Sequence, residues 1–188
     1  MRFWTFQRNE LIQELLNNGK LEPDFSIDKK ITGLSILAYR KILETYNNIN
    51  KTSYKGLIFG YDGTEVNYRN NFKNVIETWK EVGEPGGAIF NDENHLLLEL
   101  EIPSNENIAV LRVDFYRFSD LLYYYKYPNE LEDDGLTIEN IENTLYLPNI
   151  STEFNSTKFE FPIGHIPFIK KEWISKIYTT EEIQKLIN

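Results

Sequence analysis

Residues 95–115, "HLLLELEIPSNENIAVLRVDF", carry the strongest strand signal in the chain. Two apolar, β-rich runs, "HLLLELEI" and "IAVLRVDF", are separated by the turn-forming stretch "PSNEN". A shorter run, "GAIF" at 87–90, precedes them across "NDEN". The pattern predicts a three-stranded antiparallel meander over residues 87–115, which would form the core of the sheet. Because strand side chains alternate, Leu96, Leu98 and Leu100 share one face, and His95, Leu97, Glu99 and Glu101 share the other.

The N-terminal stretch predicts a strand–helix–strand entry to this sheet. Residues 2–7 form the first strand, and Leu11, Ile12, Leu15 and Leu16 then follow helical spacing. Asn9 is a candidate N-cap for this helix over 9–18, and Gly19 can take the left-handed conformation that ends it. The chain is expected to return through residues 20–25.

Amphipathic helices are predicted to pack on the sheet, at 33–48 and 70–82, with Trp79 on the apolar side of the latter. Asp62-Gly63 predicts a hairpin turn between them. Further on, a short helix is expected from Ser119, another capped by Thr137, and a last one over 180–187 with a Thr179–Glu182 capping box. Ile169, Trp173, Ile174 and Ile177 also follow helical spacing. We therefore expect one α+β domain over residues 1–188, with room for a small helical C-terminal extension at 167–188.

Composition narrows the functional classes. The chain of 188 residues has a formal net charge of −9, which would repel phosphate backbones and anionic lipid, so direct binding to nucleic acid or a membrane surface is not expected. It has no cysteine, which excludes disulfides and thiolate chemistry. The first residues do not resemble a signal peptide, and no apolar run is long enough to span a bilayer. These features predict a soluble, cytoplasmic protein.

Four stretches together resemble an uncharacterised bacterial family, domain of unknown function three-eight-four-one. They are "RFWTFQ", "LLNNGKL", "LLLELEIPSNENIAVLRVDF" and "IPFIKKEWISKI". The family's members look like a Trp/Tyr-Thr-x-Gln strand, a Glu-x-x-Pro strand and a C-terminal Glu-Trp-Ile helix. The resemblance covers both ends and the middle sheet of this chain, and it implies a fold more than a chemistry.

Metal and nucleotide sites are not predicted. His95 and His165 have no partner at metal-binding spacing, and neither a phosphate-binding Gly-rich loop nor an EF-hand pattern is complete. Residues 130–142, which we call the acidic segment, contain six acidic residues and no basic residue. Its first four acids, Glu130, Glu132, Asp133 and Asp134, are candidate contacts to a basic protein partner. A solvated acidic face is the more common explanation for such a run. "YYYKY" at 123–127 fits either core packing or a partner-facing patch.

An early Arg2 and Thr5 combined with a later Glu99-x-Glu101 strand are similar to the arrangement in ADP-ribosyltransferases. That resemblance implies that Arg2 anchors NAD and that Glu101, as the second Glu, stabilises an oxocarbenium-like ribose, with Glu99 beside it. Two interpretations stay open. The preferred one is a non-catalytic binding protein without a cofactor that engages another protein. The alternative is an NAD-dependent, ADP-ribosyltransferase-like enzyme with Arg2, Glu99 and Glu101 at its catalytic site.

Overall fold

The computed structural model describes residues 1–26, 35–63, 94–127, 129–130, 135, 137–146 and 162–187. Their contacts divide the chain into two compact units. The first unit comprises Met1–Leu21, Phe59–Ile108 and Phe168–Asn188, and the second comprises Glu22–Ile58 and Ala109–Pro167. The expectation of one domain over 1–188 therefore stays a prediction.

The secondary structure of the described residues mixes helices with antiparallel strands, so the predicted α+β class is confirmed. In chain order the elements are β1 (Arg2–Arg8), α1 (Asn9–Asn18), β2 (Lys20–Leu21), α2 (Ser35–Asn50), β3 (Ile58–Asp62), β4 (His95–Glu101), β5 (Leu111–Asp114), α3 (Phe115–Lys126), α4 (Ile138–Leu145), β6 (Pro162–Ile166), β7 (Ile169–Lys170), β8 (Ile174–Tyr178) and α5 (Thr180–Ile187), with 3-10 turns at Ser104–Glu106 and Lys171–Trp173.

An antiparallel sheet in the order β3, β1, β4, β8 organises the first unit. Its middle strands are apolar on both faces, since Phe3 and Trp4 on β1 and Leu97 and Leu98 on β4 are all almost fully buried. Because neighbouring side chains on a strand point to opposite faces, both faces are buried at the centre of these two strands.

The described part of residues 87–115 does not form the predicted meander. Strands form at 95–101 and 111–114 as expected, but β4 pairs with β1 and β8, whereas β5 pairs with β6. Beyond the end of β4, Ile102 exchanges backbone hydrogen bonds with Met1 at 2.7 Å and 2.5 Å, so β1 occupies the side that a hairpin partner would need. Strand propensity is a local property, whereas the choice of neighbour depends on distant sequence.

The entry segment forms the predicted strand and helix. Gly19 ends α1 with φ 79°, and its N–H donates to the Leu15 carbonyl oxygen at 2.9 Å. The prediction that Asn9 is the N-cap of α1 is wrong, because Arg8 occupies that position. The Asn9 N–H donates to the Asn94 carbonyl oxygen at 2.7 Å. The return strand is shorter than expected, and it pairs with β7.

The C-terminal segment also differs from its prediction. The helical extension predicted over 167–188 is helical only at Thr180–Ile187, because residues 169–178 form β7, a 3-10 turn and β8. Trp173 is 1% exposed and packs against Phe168 with ring centroids 5.4 Å apart. Trp173 therefore lies at helical spacing from Ile169 and Ile177 in the sequence, although it is buried in a 3-10 turn between two strands. The Thr179–Glu182 capping box is confirmed, with the Thr179 N–H 2.9 Å from a Glu182 carboxylate oxygen.

Helices α2, α3 and α4 and the β5–β6 pair build the second unit. Tyr39 on α2 meets Phe118 on α3 edge-on at 5.3 Å, and Lys41 on α2 lies 3.1 Å from Glu142 on α4. The Thr137 cap of α4 is confirmed.

Helix α3 begins four residues earlier than predicted, at Phe115 rather than Ser119. Asp114 acts as its N-cap, and an Asp114 carboxylate oxygen accepts the Arg117 N–H at 3.0 Å. Four other predictions lie outside the described residues, namely the strand at 87–90, the helix at 70–82 with Trp79, the second arm of the hairpin after Gly63, and Glu132, Asp133 and Asp134.

Candidate functional site

Arg2, Glu99 and Glu101 come together on one face of the first unit's sheet. In the β1–β4 register Arg2 lies opposite Glu101 and Trp4 lies opposite Glu99, so these side chains project to the same side. Arg2 Nε is 3.2 Å from Glu99 Oε1, and Arg2 Nη2 is 3.7 Å from Glu101 Oε1. We call Arg2, Glu99, Glu101 and Tyr178 the Arg2 cluster.

Tyr178 on β8 completes this cluster. Its hydroxyl donates to Glu99 Oε2 at 2.7 Å, and burial together with this hydrogen bond raises the pKa of Tyr178. Glu99 therefore has a charged partner on one oxygen and a hydroxyl donor on the other. The two carboxylates differ in setting, since the Glu99 side chain is 15% exposed and that of Glu101 is 66% exposed.

Thr5, predicted to act with these residues, faces the other side of the sheet. Its hydroxyl donates to the Phe59 carbonyl oxygen at 2.7 Å and accepts from Gln7 Nε2 at 2.8 Å, and the residue is fully buried. Side chains three residues apart on a strand point to opposite faces, which separates Thr5 from Arg2. Thr5 connects β1 to β3 and is a structural residue here.

The Arg2 cluster is closer to a structural ion-pair network than to an open anion site. A guanidinium that anchors a pyrophosphate must offer its donors to the ligand. Here Arg2 already faces two carboxylates, so a phosphate would compete with both of them and meet their negative charge. Glu101 is the member of the cluster with most access to solvent.

Of the four candidate partner contacts in the acidic segment, only Glu130 lies among the described residues, and it is exposed. One of its carboxylate oxygens accepts a hydrogen bond from the Tyr123 hydroxyl. The acidic segment therefore begins beside the aromatic end of α3.

An exposed row of tyrosines runs along α3. Tyr116 and Tyr123 lie seven residues apart on one side of α3 and are each 44% exposed. Tyr127, the C-cap residue just beyond the helix, is 38% exposed, and its ring centroid lies 5.0 Å from that of Tyr123. We call these three residues the tyrosine stripe. The sequence pointed only to residues 123–127, and Tyr116 was missed, although its heptad spacing to Tyr123 is the signal that could have found it.

The remaining predictions about sites concern metals and membranes. Among the described residues, no group of three or more His, Asp or Glu side chains is arranged to hold a metal ion. His165 is buried beside the Phe118 ring, with the ring centroids 6.4 Å apart. Within the described residues, no helix is both long enough and apolar enough to cross a bilayer.

No family model matches the chain, and neither a curated protein nor a solved structure was found to be similar to it. The resemblance to the domain-of-unknown-function family stays a prediction.

Proposed function

We propose that this chain is a non-catalytic module that binds another protein through the tyrosine stripe on α3. The observation that carries the proposal is the exposure of Tyr116 and Tyr123 on one side of α3 and of Tyr127 at its C-cap. Tyrosine is enriched at protein interfaces because its ring supplies a large apolar contact while its hydroxyl still forms hydrogen bonds.

The helix that carries the stripe is well anchored. Phe118 and Leu121, on its other side, are buried, and Asp114 caps its first turn. An Arg117–Asp120 ion pair of 2.9 Å adds a contact within the helix. A surface that is held in one conformation before binding loses less entropy on association, which favours a binding role for these tyrosines.

Site-specific photo-crosslinking tests this proposal. A benzoylphenylalanine side chain is placed at position 116 or 123 in the full chain, in cells that express the protein naturally. Position 49 on α2, where Ile49 is 64% exposed, serves as a matched control in the same unit. We expect discrete adducts from positions 116 and 123 and none of the same size from position 49. Equal adducts at all three positions, or no adduct from the stripe, would contradict the proposal.

An NAD-dependent transferase is the second candidate, because Arg2, Glu99 and Glu101 lie together on one sheet face. Its test is nicotinamide release from NAD by the wild type, Arg2→Ala and Glu101→Gln, with circular dichroism as the fold control. Release that is lost in Glu101→Gln without a change in the spectrum would support the transferase. If the wild type releases no nicotinamide, this candidate is excluded.

A further inference from the structure

We propose that the Asn18–Gly19 peptide is a modification site, at which the Asn18 side chain deamidates when the end of α1 opens. This modification is independent of the binding function proposed for the tyrosine stripe. Asn18 and Gly19 form the only Asn-Gly pair in the sequence. Ring closure between neighbouring residues is easiest in such a pair, because glycine has no Cβ atom to obstruct the close approach.

The reaction joins the two residues and takes water as its only co-reactant. The Gly19 nitrogen loses its proton and forms a bond to Cγ of Asn18, and the side-chain amide nitrogen leaves as ammonia. A five-membered succinimide ring results. Water then adds to one of the two ring carbonyls and opens the ring, which leaves aspartate or isoaspartate at position 18. One ammonia is lost and one water is gained, and nothing is oxidised or reduced.

The surroundings of the pair leave room for this ring. Asn18 is exposed at the last position of α1. A Cβ atom at Gly19 would meet no other part of the described chain within 4 Å, so the space beside this residue is open. Water therefore has access to the position at which the ring would form and reopen.

Two backbone hydrogen bonds oppose the reaction in the folded state. The Gly19 N–H donates to the Leu15 carbonyl oxygen at 2.9 Å, so the proton that must leave is held by the helix. The Gly19 carbonyl oxygen accepts the Lys171 N–H, also at 2.9 Å, which fixes the same residue from the other side. Ring closure therefore requires local opening of the end of α1, and its rate should follow the population of that open state.

The products would not restore this arrangement. Isoaspartate carries the main chain through Cβ and Cγ of residue 18, which adds one carbon directly before Gly19. Strand β2 begins at the next residue, where Lys20 lies opposite Lys170, so the longer connection would disturb the β2–β7 pair. Either product also places a carboxylate at the C-terminal end of α1, where the helix dipole disfavours negative charge. Deamidation would therefore stabilise the open form of this turn relative to the closed one.

Mass spectrometry of the full chain, incubated at mildly alkaline pH with and without urea, tests the proposal. Trypsin cleaves after Arg8 and Lys20 and releases residues 9–20 with the pair intact. We expect Asn18 to deamidate in both samples, more slowly by about tenfold or more in the folded chain, because two hydrogen bonds must break first. Asn17 is also exposed but precedes an asparagine, so it is the internal control and should react more slowly than Asn18 in urea.

Two variants of Lys171 isolate the hydrogen bond to the Gly19 carbonyl oxygen. Lys171→Pro removes the N–H donor at the first position of a 3-10 turn, where the fixed φ of proline is tolerated. It also removes the bond from Lys171 Nζ to the Leu16 carbonyl oxygen, and Lys171→Met removes that side-chain bond alone. We expect Lys171→Pro to deamidate about threefold faster or more than Lys171→Met, with circular dichroism confirming that both are folded.

Three results would overturn the proposal. Equal rates in the folded and the urea-unfolded chain would show that the end of α1 does not control the reaction. Equal rates at Asn17 and Asn18 in urea would remove the special reactivity of the pair. Equal rates in Lys171→Pro and Lys171→Met would show that the bond to Gly19 does not hold the turn closed.

Discussion

Arg2 on β1 and Glu99 on β4 form an ion pair of 3.2 Å, and the second Glu99 oxygen accepts the Tyr178 hydroxyl from β8. One carboxylate therefore connects side chains from three adjacent strands of the first unit's sheet. The Arg2 guanidinium carbon also lies 6.0 Å from the centroid of the Trp4 ring. Cross-strand pairs of this kind stabilise a sheet, and their contribution grows as the partners lose contact with water.

The first prediction compares the two carboxylates of the Arg2 cluster. Glu99→Gln should lower the free energy of unfolding by about 1 to 2 kcal/mol, because it weakens two hydrogen bonds to a partly buried group. Glu101→Gln should lower it by less than about 0.5 kcal/mol, because exposed ion pairs contribute little. Urea denaturation measures both values. Equal losses would show that Glu99 is not the structural member of the pair.

The second prediction concerns Gly60 on β3. A Cβ atom at this position would lie 2.2 Å from the Trp4 carbonyl oxygen and 2.6 Å from Phe3 Cε1, distances that require the backbone to move. Gly60→Ala should therefore lower the free energy of unfolding by about 3 kcal/mol or more, as overpacking does in a buried sheet. Chemical denaturation monitored by circular dichroism gives the value.

Gly19→Ala is the matched control for Gly60→Ala. A Cβ at Gly19 meets nothing within 4 Å, so only its φ of 79° is unfavourable, and the expected loss is about 1 kcal/mol. A Gly60→Ala variant as stable as Gly19→Ala would contradict the close approach of β3 to β1.

Local chemistry made part of this fold predictable. The stop of α1 at Gly19, the Thr137 cap and the Thr179–Glu182 capping box each depend on residues within four positions of one another. Strand alternation also places Glu99 and Glu101 on one face. Their meeting with Arg2 depends on the pairing of β1 with β4, which the sequence did not predict.

Non-local pairing made the rest unpredictable. The sequence on either side of "PSNEN" favours a hairpin, yet β1 and β8 take the positions beside β4. Trp173 and Ile169 follow helical spacing, although the chain around them pairs as strands. The exposure of Tyr116 likewise depends on which side of α3 the other helices cover, and that is decided by tertiary packing.

The third prediction concerns the rate at which a basic partner arrives. Reversing the charges of Glu130, Glu132, Asp133 and Asp134 to lysine should slow association with a short basic peptide and reduce the salt dependence of that rate, because exposed charges steer the encounter. Stopped-flow fluorescence measures the rate at low and high salt. An unchanged association rate would exclude the acidic segment from the interaction.

The last prediction concerns acid stability and His165 on β6, which lies opposite Leu111 in the β5–β6 pair and is 2% exposed. Burial lowers the pKa of His165 to about 4, and the backbone of Leu111 opposes only part of that shift. In the unfolded chain the imidazole has a pKa of about 6.5, so between these two values the unfolded state binds the proton and the folded state does not.

The stabilisation from neutral His165 is therefore complete above a pH of about 6.5 and is lost as the pH falls towards 4, by about 3 kcal/mol in total. Urea unfolding of the wild type and His165→Leu across this pH range measures the effect. We expect the difference in unfolding free energy between His165→Leu and the wild type to shift in favour of the variant as the pH falls. Parallel curves for these two proteins would mean that the folded protein protonates His165 as readily as the unfolded chain does.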